Sequence, residues 1–184
     1  PQVTGVIDGV VTADGRPLRV LLIGTLIAKA AMLQGYEVSW MPSYGPEMRG
    51  GEANCAVVVS DEPIGSPLVS EPPVLVAMNK PSLVKFMPAM APGGTLLYNA
   101  SLIEGVELRQ DINAIPVHCN EIAERLQSSR VANMVMLGAV QAATDVVTGE
   151  TLSRTLQDWL GEEKAGMLQI NEKAIEAGRE LVKG

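Results

Sequence analysis

The segment Val74-Leu75-Val76-Ala77-Met78-Asn79-Lys80-Pro81-Ser82 reads as a strand that turns directly into a helix. Five apolar residues in a row suit a strand buried on both faces. Pro81 lacks a backbone donor, which costs nothing in the first turn of a helix, so a helix is predicted from there to about Met90, shortened or kinked by Pro88. Such a unit needs packing layers around the strand, which argues for an α/β fold.

The same alternation continues on both sides. Downstream, Pro92-Gly93-Gly94 turns into a strand over residues 95–99, and residues 114–117 form another. A helix is expected over residues 121–127 with Asn120 as its N-cap. Residues 131–143 are apolar on almost every face, so that helix packs on several sides or at a subunit contact, and Asn133 within it needs a hydrogen-bond partner. Residues 152–160 and 165–182 read as amphipathic, charge-laced helices. Upstream, residues 56–59 form a buried strand closed by Ser60-Asp61-Glu62-Pro63, and residues 36–40 alternate as a strand does. Residues 20–34 read as a helix ended by Gly35, with Leu22, Leu26, Ala30 and Leu33 on one stripe. Residues 20–23 taken alone read equally as a buried strand. Residues 3–7 and 10–11 suit short strands, and Asp14-Gly15 a turn. Neither a repeat nor a linker divides the chain, so residues 1–184 are expected to form a single domain.

Composition narrows the function classes. Of 184 residues, 47% are hydrophobic and only 3% aromatic, so aliphatic side chains and methionines (Met78, Met87, Met90, Met134 and Met136 among them) must fill the core. The formal charge is −7 and basic residues do not cluster, which argues against nucleic acid or an acidic membrane as partner. Cys55, Cys119 and His118 are the only cysteines and histidine, too few for a structural zinc or iron–sulfur site. Without secretory features a Cys55–Cys119 disulfide is not expected, nor is a membrane span, and the expected compartment is the cytoplasm. Cys55 reads as a small buried residue rather than a nucleophile, and one histidine makes no triad.

The chemistry-bearing stretch is Ser43-Tyr44-Gly45-Pro46-Glu47-Met48-Arg49-Gly50-Gly51-Glu52-Ala53-Asn54-Cys55. Glycines and proline rule out regular helix there. The two glycines after Arg49 leave backbone amides uncovered, so an anionic or planar group can lie against them beside the guanidinium. The plainer reading pairs Arg49 with Glu47 or Glu52 across a surface turn. Asn79 stands at the carboxyl end of a predicted strand, where open α/β sheets place ligands; its plainer reading is a cap on the following helix. Asn99 has the same status.

The run YGPEMRGGEANC resembles the signature of the gamma subunit, or gamma domain, of the 2-oxoacid:ferredoxin (acceptor) oxidoreductases. The resemblance continues through SDEPIGSP, VLVAMNKPSL, PGGTLLYNASLI, SRVANMVMLGA and NEKAIEAGRE, in the family's order, and covers nearly everything after Gly24. It implies a mixed, partly barrel-like sheet flanked by helices. It also implies a subunit of a complex that converts a 2-oxoacid and coenzyme A to acyl-CoA, carbon dioxide and reduced ferredoxin, as in anaerobic metabolism. Alpha and beta chains, and in some complexes a ferredoxin-like delta chain, would hold thiamine diphosphate, magnesium and [4Fe–4S] clusters; this chain would bind none of these alone and the isolated chain would be inactive. The implied contact surface for coenzyme A or the active-site rim is Tyr44, Gly45, Glu47, Arg49, Gly50, Gly51 and Asn54, with Asn79 nearby. The family's glycine-rich loop near the amino terminus is not present, because Gly5, Gly9 and Gly15 are too widely spaced. The signature looks closer to the 2-oxoglutarate and branched-chain versions than to the others. Two other readings compete: an assembly subunit whose signature loop only docks partners, and a self-sufficient nucleotide-binding enzyme, which the missing glycine fingerprints disfavour.

Overall fold

The computed structural model describes residues 3–10, 18–44, 52–161 and 166–183. Its strands are β1 (Val3–Val10), β2 (Glu37–Tyr44), β3 (Glu52–Ser60), β4 (Val74–Ala77), β5 (Thr95–Asn99) and β6 (Asn113–Val117). The helices are α1 (Leu18–Leu33), α2 (Lys80–Phe86), α3 (Cys119–Arg125), α4 (Ala132–Thr144), α5 (Gly149–Leu160) and α6 (Leu168–Lys183), with short 3₁₀ turns at Met87–Ala89 and Ser129–Val131. The strands form one mixed sheet in the order β2-β3-β1-β4-β5-β6. β1, β4, β5 and β6 are parallel, whereas β3 runs antiparallel to both β1 and β2.

Side-chain alternation along these strands feeds two cores. Val76 and Leu97 face a cluster that includes Leu26 and Ile27 of α1, Val135 and Met136 of α4, Leu152 and Leu156 of α5, and Ile175 of α6. Leu75, Ala77 and Leu96 face the other side, against Leu83, Met87, Met90 and Ile103. Each fully buried leucine contributes roughly 1.5–3 kcal/mol of transfer free energy, so the larger cluster dominates stability. Its closest contact is between α4 and α6, where a Cβ on Gly138 would collide with the Ile175 carbonyl and one on Gly178 with the Val135 carbonyl. All five methionines expected in the core are within or against these clusters.

The α/β class, the mixed sheet and its flanking helices agree with expectation, and three local readings (Leu33, the signature stretch and Asn120) are corrected. The helix reading of residues 20–23 holds over the strand alternative, because an extended start would give up the contacts that Leu21 and Ile23 make in the larger core. Leu33 does not share the buried stripe; it lies 56% exposed, one turn past the sheet contacts of α1. The two ends of the signature stretch are strand, since Ser43 and Tyr44 pair with Asn54 and Ala53 across β2 and β3. Asn120 is not a cap: α3 begins two residues earlier than expected, at Cys119, with His118 at the cap position and no side-chain cap bond.

A candidate ligand edge at the carboxyl ends of the strands

β1 and β4 are neighbours, but the chain leaves them in opposite directions. After β1 it forms α1, which packs on the face of the larger core; after β4 it forms α2, which packs on the other. This reversal is a topological switch point, the kind of place at which open α/β sheets bind ligands. β2 is antiparallel to β3, which is antiparallel to β1, so the chain also leaves β2 at Tyr44 and re-enters β3 at Glu52 on this edge. Ser43, Asn54, Asp8 and Ala77 stand in one row of the sheet, which sets Asn54 at register one strand from β1 and two from β4. Gly45, Glu47, Arg49, Gly50 and Gly51 lie outside the described residues.

Asn79 follows β4 at this edge. Its Oδ1 accepts from the Ser82 backbone N–H at 3.0 Å, which caps α2. The plainer expectation therefore holds for its oxygen. Its Nδ2 is buried without a hydrogen-bond partner, as is Oγ of Ser82, a residue with no exposed surface. A buried donor left unpaired costs about 1–3 kcal/mol, so these atoms favour any group that supplies an acceptor. Lys80 reaches across the edge to donate to the Glu104 carbonyl oxygen at 3.0 Å, tying α2 to the connection after β5.

Asn99 ends β5 and is fully buried. Its Nδ2 donates to Asn120 Oδ1 at 2.9 Å, while its own Oδ1 has no partner. The Ser101 hydroxyl accepts from the Asn120 N–H at 3.2 Å, so the first turn of α3 is capped from the β5 connection rather than by its own cap residue. His118, at the end of β6, sits half-exposed with Nδ1 3.0 Å from Glu121 Oε1. Ser101 carries polar work that spacing did not announce; the only advance signal was that it lies two residues after a strand end.

Cys55 and Cys119 are buried and form no disulfide, and burial pushes the Cys119 thiol up to about 12. Cys119 is therefore not a ready thiolate. No group of three or more His, Cys, Asp or Glu side chains among the described residues could hold a metal ion. With two buried thiols and one imidazole, these residues do not fit an iron–sulfur cluster. No described helix is long and apolar enough to cross a membrane.

Residues 20–181 match the model of the pyruvate ferredoxin/flavodoxin oxidoreductase family. The chain is 39% identical over 159 residues to the ketoisovalerate oxidoreductase subunit VorA of Methanothermobacter marburgensis, covering 86% of this chain but 33% of VorA. It thus spans about a third of the length of that relative. It is 35% identical to the 2-oxoglutarate synthase subunit KorC of Methanothermobacter thermautotrophicus, covering 89% of this chain and 88% of KorC. Its fold superposes on a 2-oxoglutarate:ferredoxin oxidoreductase from Magnetococcus marinus, solved with 2-oxoglutarate, coenzyme A and succinyl-CoA bound, with a TM-score of 0.88 at 25% identity, over 99% of this chain and 31% of that one. It also superposes on the gamma subunit of a keto/oxoacid ferredoxin oxidoreductase from Geobacter sulfurreducens, with a TM-score of 0.81 at 25% identity and 98% of both chains covered. Signature, sheet and near-full-length match to a gamma subunit agree: the chain belongs to the pyruvate ferredoxin/flavodoxin oxidoreductase family, in its gamma-type form.

Proposed function

We propose that residues 1–184 are a single gamma-type catalytic domain of a 2-oxoacid:ferredoxin oxidoreductase, which closes over the active-site mouth and helps to place coenzyme A. The observation that carries this is topological: the connection between β2 and β3 opens on the edge where β1 and β4 diverge. In the complex the bond between C1 and C2 of the 2-oxoacid breaks, C1 leaves as carbon dioxide, and C2 becomes bonded to the thiol sulfur. The thiol S–H bond breaks with its proton released to solvent, and the two electrons left from the C1–C2 bond pass to ferredoxin. Thiamine diphosphate, magnesium and [4Fe–4S] clusters in the alpha and beta chains (and a delta chain where there is one) supply the carbanion and electron chemistry.

This chain's part is binding and positioning. Arg49 holds an anionic group, a phosphate or carboxylate, with Glu47 orienting it. Gly45, Gly50 and Gly51 let backbone amides approach, and Tyr44 and Asn54 line the rim. Asn79 adds its unpaired Nδ2 as a donor at the same edge. Fixing one end of a long flexible co-substrate lowers the entropy that its thiol must lose on reaching the acyl group.

The docking reading has one observation in its favour: Asn79, a described member of the set, spends its oxygen on capping α2. Arg49→Ala in the native complex separates the two. A ligand role raises KM for coenzyme A about ten- to a hundredfold with the subunits still eluting together. Normal kinetics from an intact complex would exclude the ligand role, and a complex that dissociates would support docking. A panel of 2-oxoglutarate, branched-chain, aryl and pyruvate substrates assayed with the same preparation identifies the substrate.

A further inference from the structure

We draw no further inference here: the strongest candidate, the apolar surface groove between α1 and α5 lined by Lys29, Met32, Leu33, Thr155, Asp158 and Trp159, is an exposed face for which nothing in the structure shows what covers it.

Discussion

The contact between α4 and α6 and the carboxyl edge of the sheet both enclose buried atoms, yet they are built differently. Between the helices, Gly138 and Gly178 bring backbone against backbone, and no space remains for a methyl group at either. At the edge, Asn79 Nδ2, Ser82 Oγ and Asn99 Oδ1 are enclosed with hydrogen-bonding capacity unspent. Close packing contributes stability through dispersion and apolar burial, and tolerates nothing extra. Unspent polar capacity gives up some stability and leaves groups that a ligand or water can satisfy. The division is one of degree, because Gln141 Oε1 on α4 and Arg179 Nε on α6 are also buried with no partner; what sets the helix contact apart is the close approach of backbones at Gly138 and Gly178.

Adding bulk to the tight contact is the most severe way to test this division. Gly138→Leu forces α4 and α6 apart, and the expected outcome is loss of about 3 kcal/mol or more, read as a lower urea midpoint or failure to fold. Gly178→Ala, with a single methyl group, should cost about 1–3 kcal/mol. If Gly138→Leu were neutral, the helices would not be locked, and the contrast drawn above would fail.

The larger core, which includes Cys119, should also show itself in alkali. Cys119 is buried, and its thiol in the folded protein is held up at about 12, compared with about 9 when exposed. A group raised in this way contributes its full share of stability below the unfolded value. That share is lost as the pH rises towards the folded value, because only the unfolded chain ionises in between. Stability should fall between about pH 9 and pH 12, and Cys119→Ala should flatten part of that fall despite its own cavity cost. Thiol reagents at pH 8 should leave Cys119 unmodified until the chain unfolds; rapid labelling of the folded protein would show that the burial is incomplete.

At the edge the effects are smaller and divide by atom. Asn79→Ala removes the cap and should cost about 1 kcal/mol. Asn79→Asp keeps an oxygen to accept from the Ser82 N–H and replaces the unpaired donor with a second acceptor. It should retain stability near neutral pH while weakening coenzyme A use by the complex, read as a rise in KM. Equal loss in stability and none in KM would make Asn79 a cap and nothing more.

How much of this was legible beforehand depended on whether the deciding force was local. The strand over residues 74–77, the helix after Pro81 and the Gly35 stop were readable because backbone sterics and apolar runs set them within a few residues. The extent of β2 was not. Ser43 and Tyr44 became strand because Asn54 and Ala53 stand opposite, a pairing that no short window contains. Asn120 looked like a cap because its type suits one, but its side chain is taken by Asn99, twenty-one residues away, and the capping hydroxyl comes from Ser101. Sheet order, and with it the switch point that gives Asn79 and the signature connection a common edge, is likewise a long-range property.

The weakest expected effect belongs to a third arrangement, closure by charge at the surface. Arg109 donates through Nη1 to the Met90 carbonyl oxygen at 2.8 Å and to that of Met87 at 3.1 Å, and through Nε to Asp111 Oδ1 at 2.9 Å. Hydrogen bonding to Arg109 holds the Asp111 carboxyl below its ordinary value. A carboxyl lowered in this way contributes above its unfolded value, near pH 4, and the contribution is lost as the pH falls through the lower folded one. Asp111 is about half exposed, so water and salt screen most of the attraction. Asp111→Asn should therefore lower Tm only slightly at pH 7, less so in high salt, and not at all once the pH is below the lowered folded value. Arg109→Met should lower it further, because the carbonyl bonds are lost at every pH. A drop for Asp111→Asn as large as that for Gly178→Ala would mean that surface charge, and not helix contact, holds this side of the molecule.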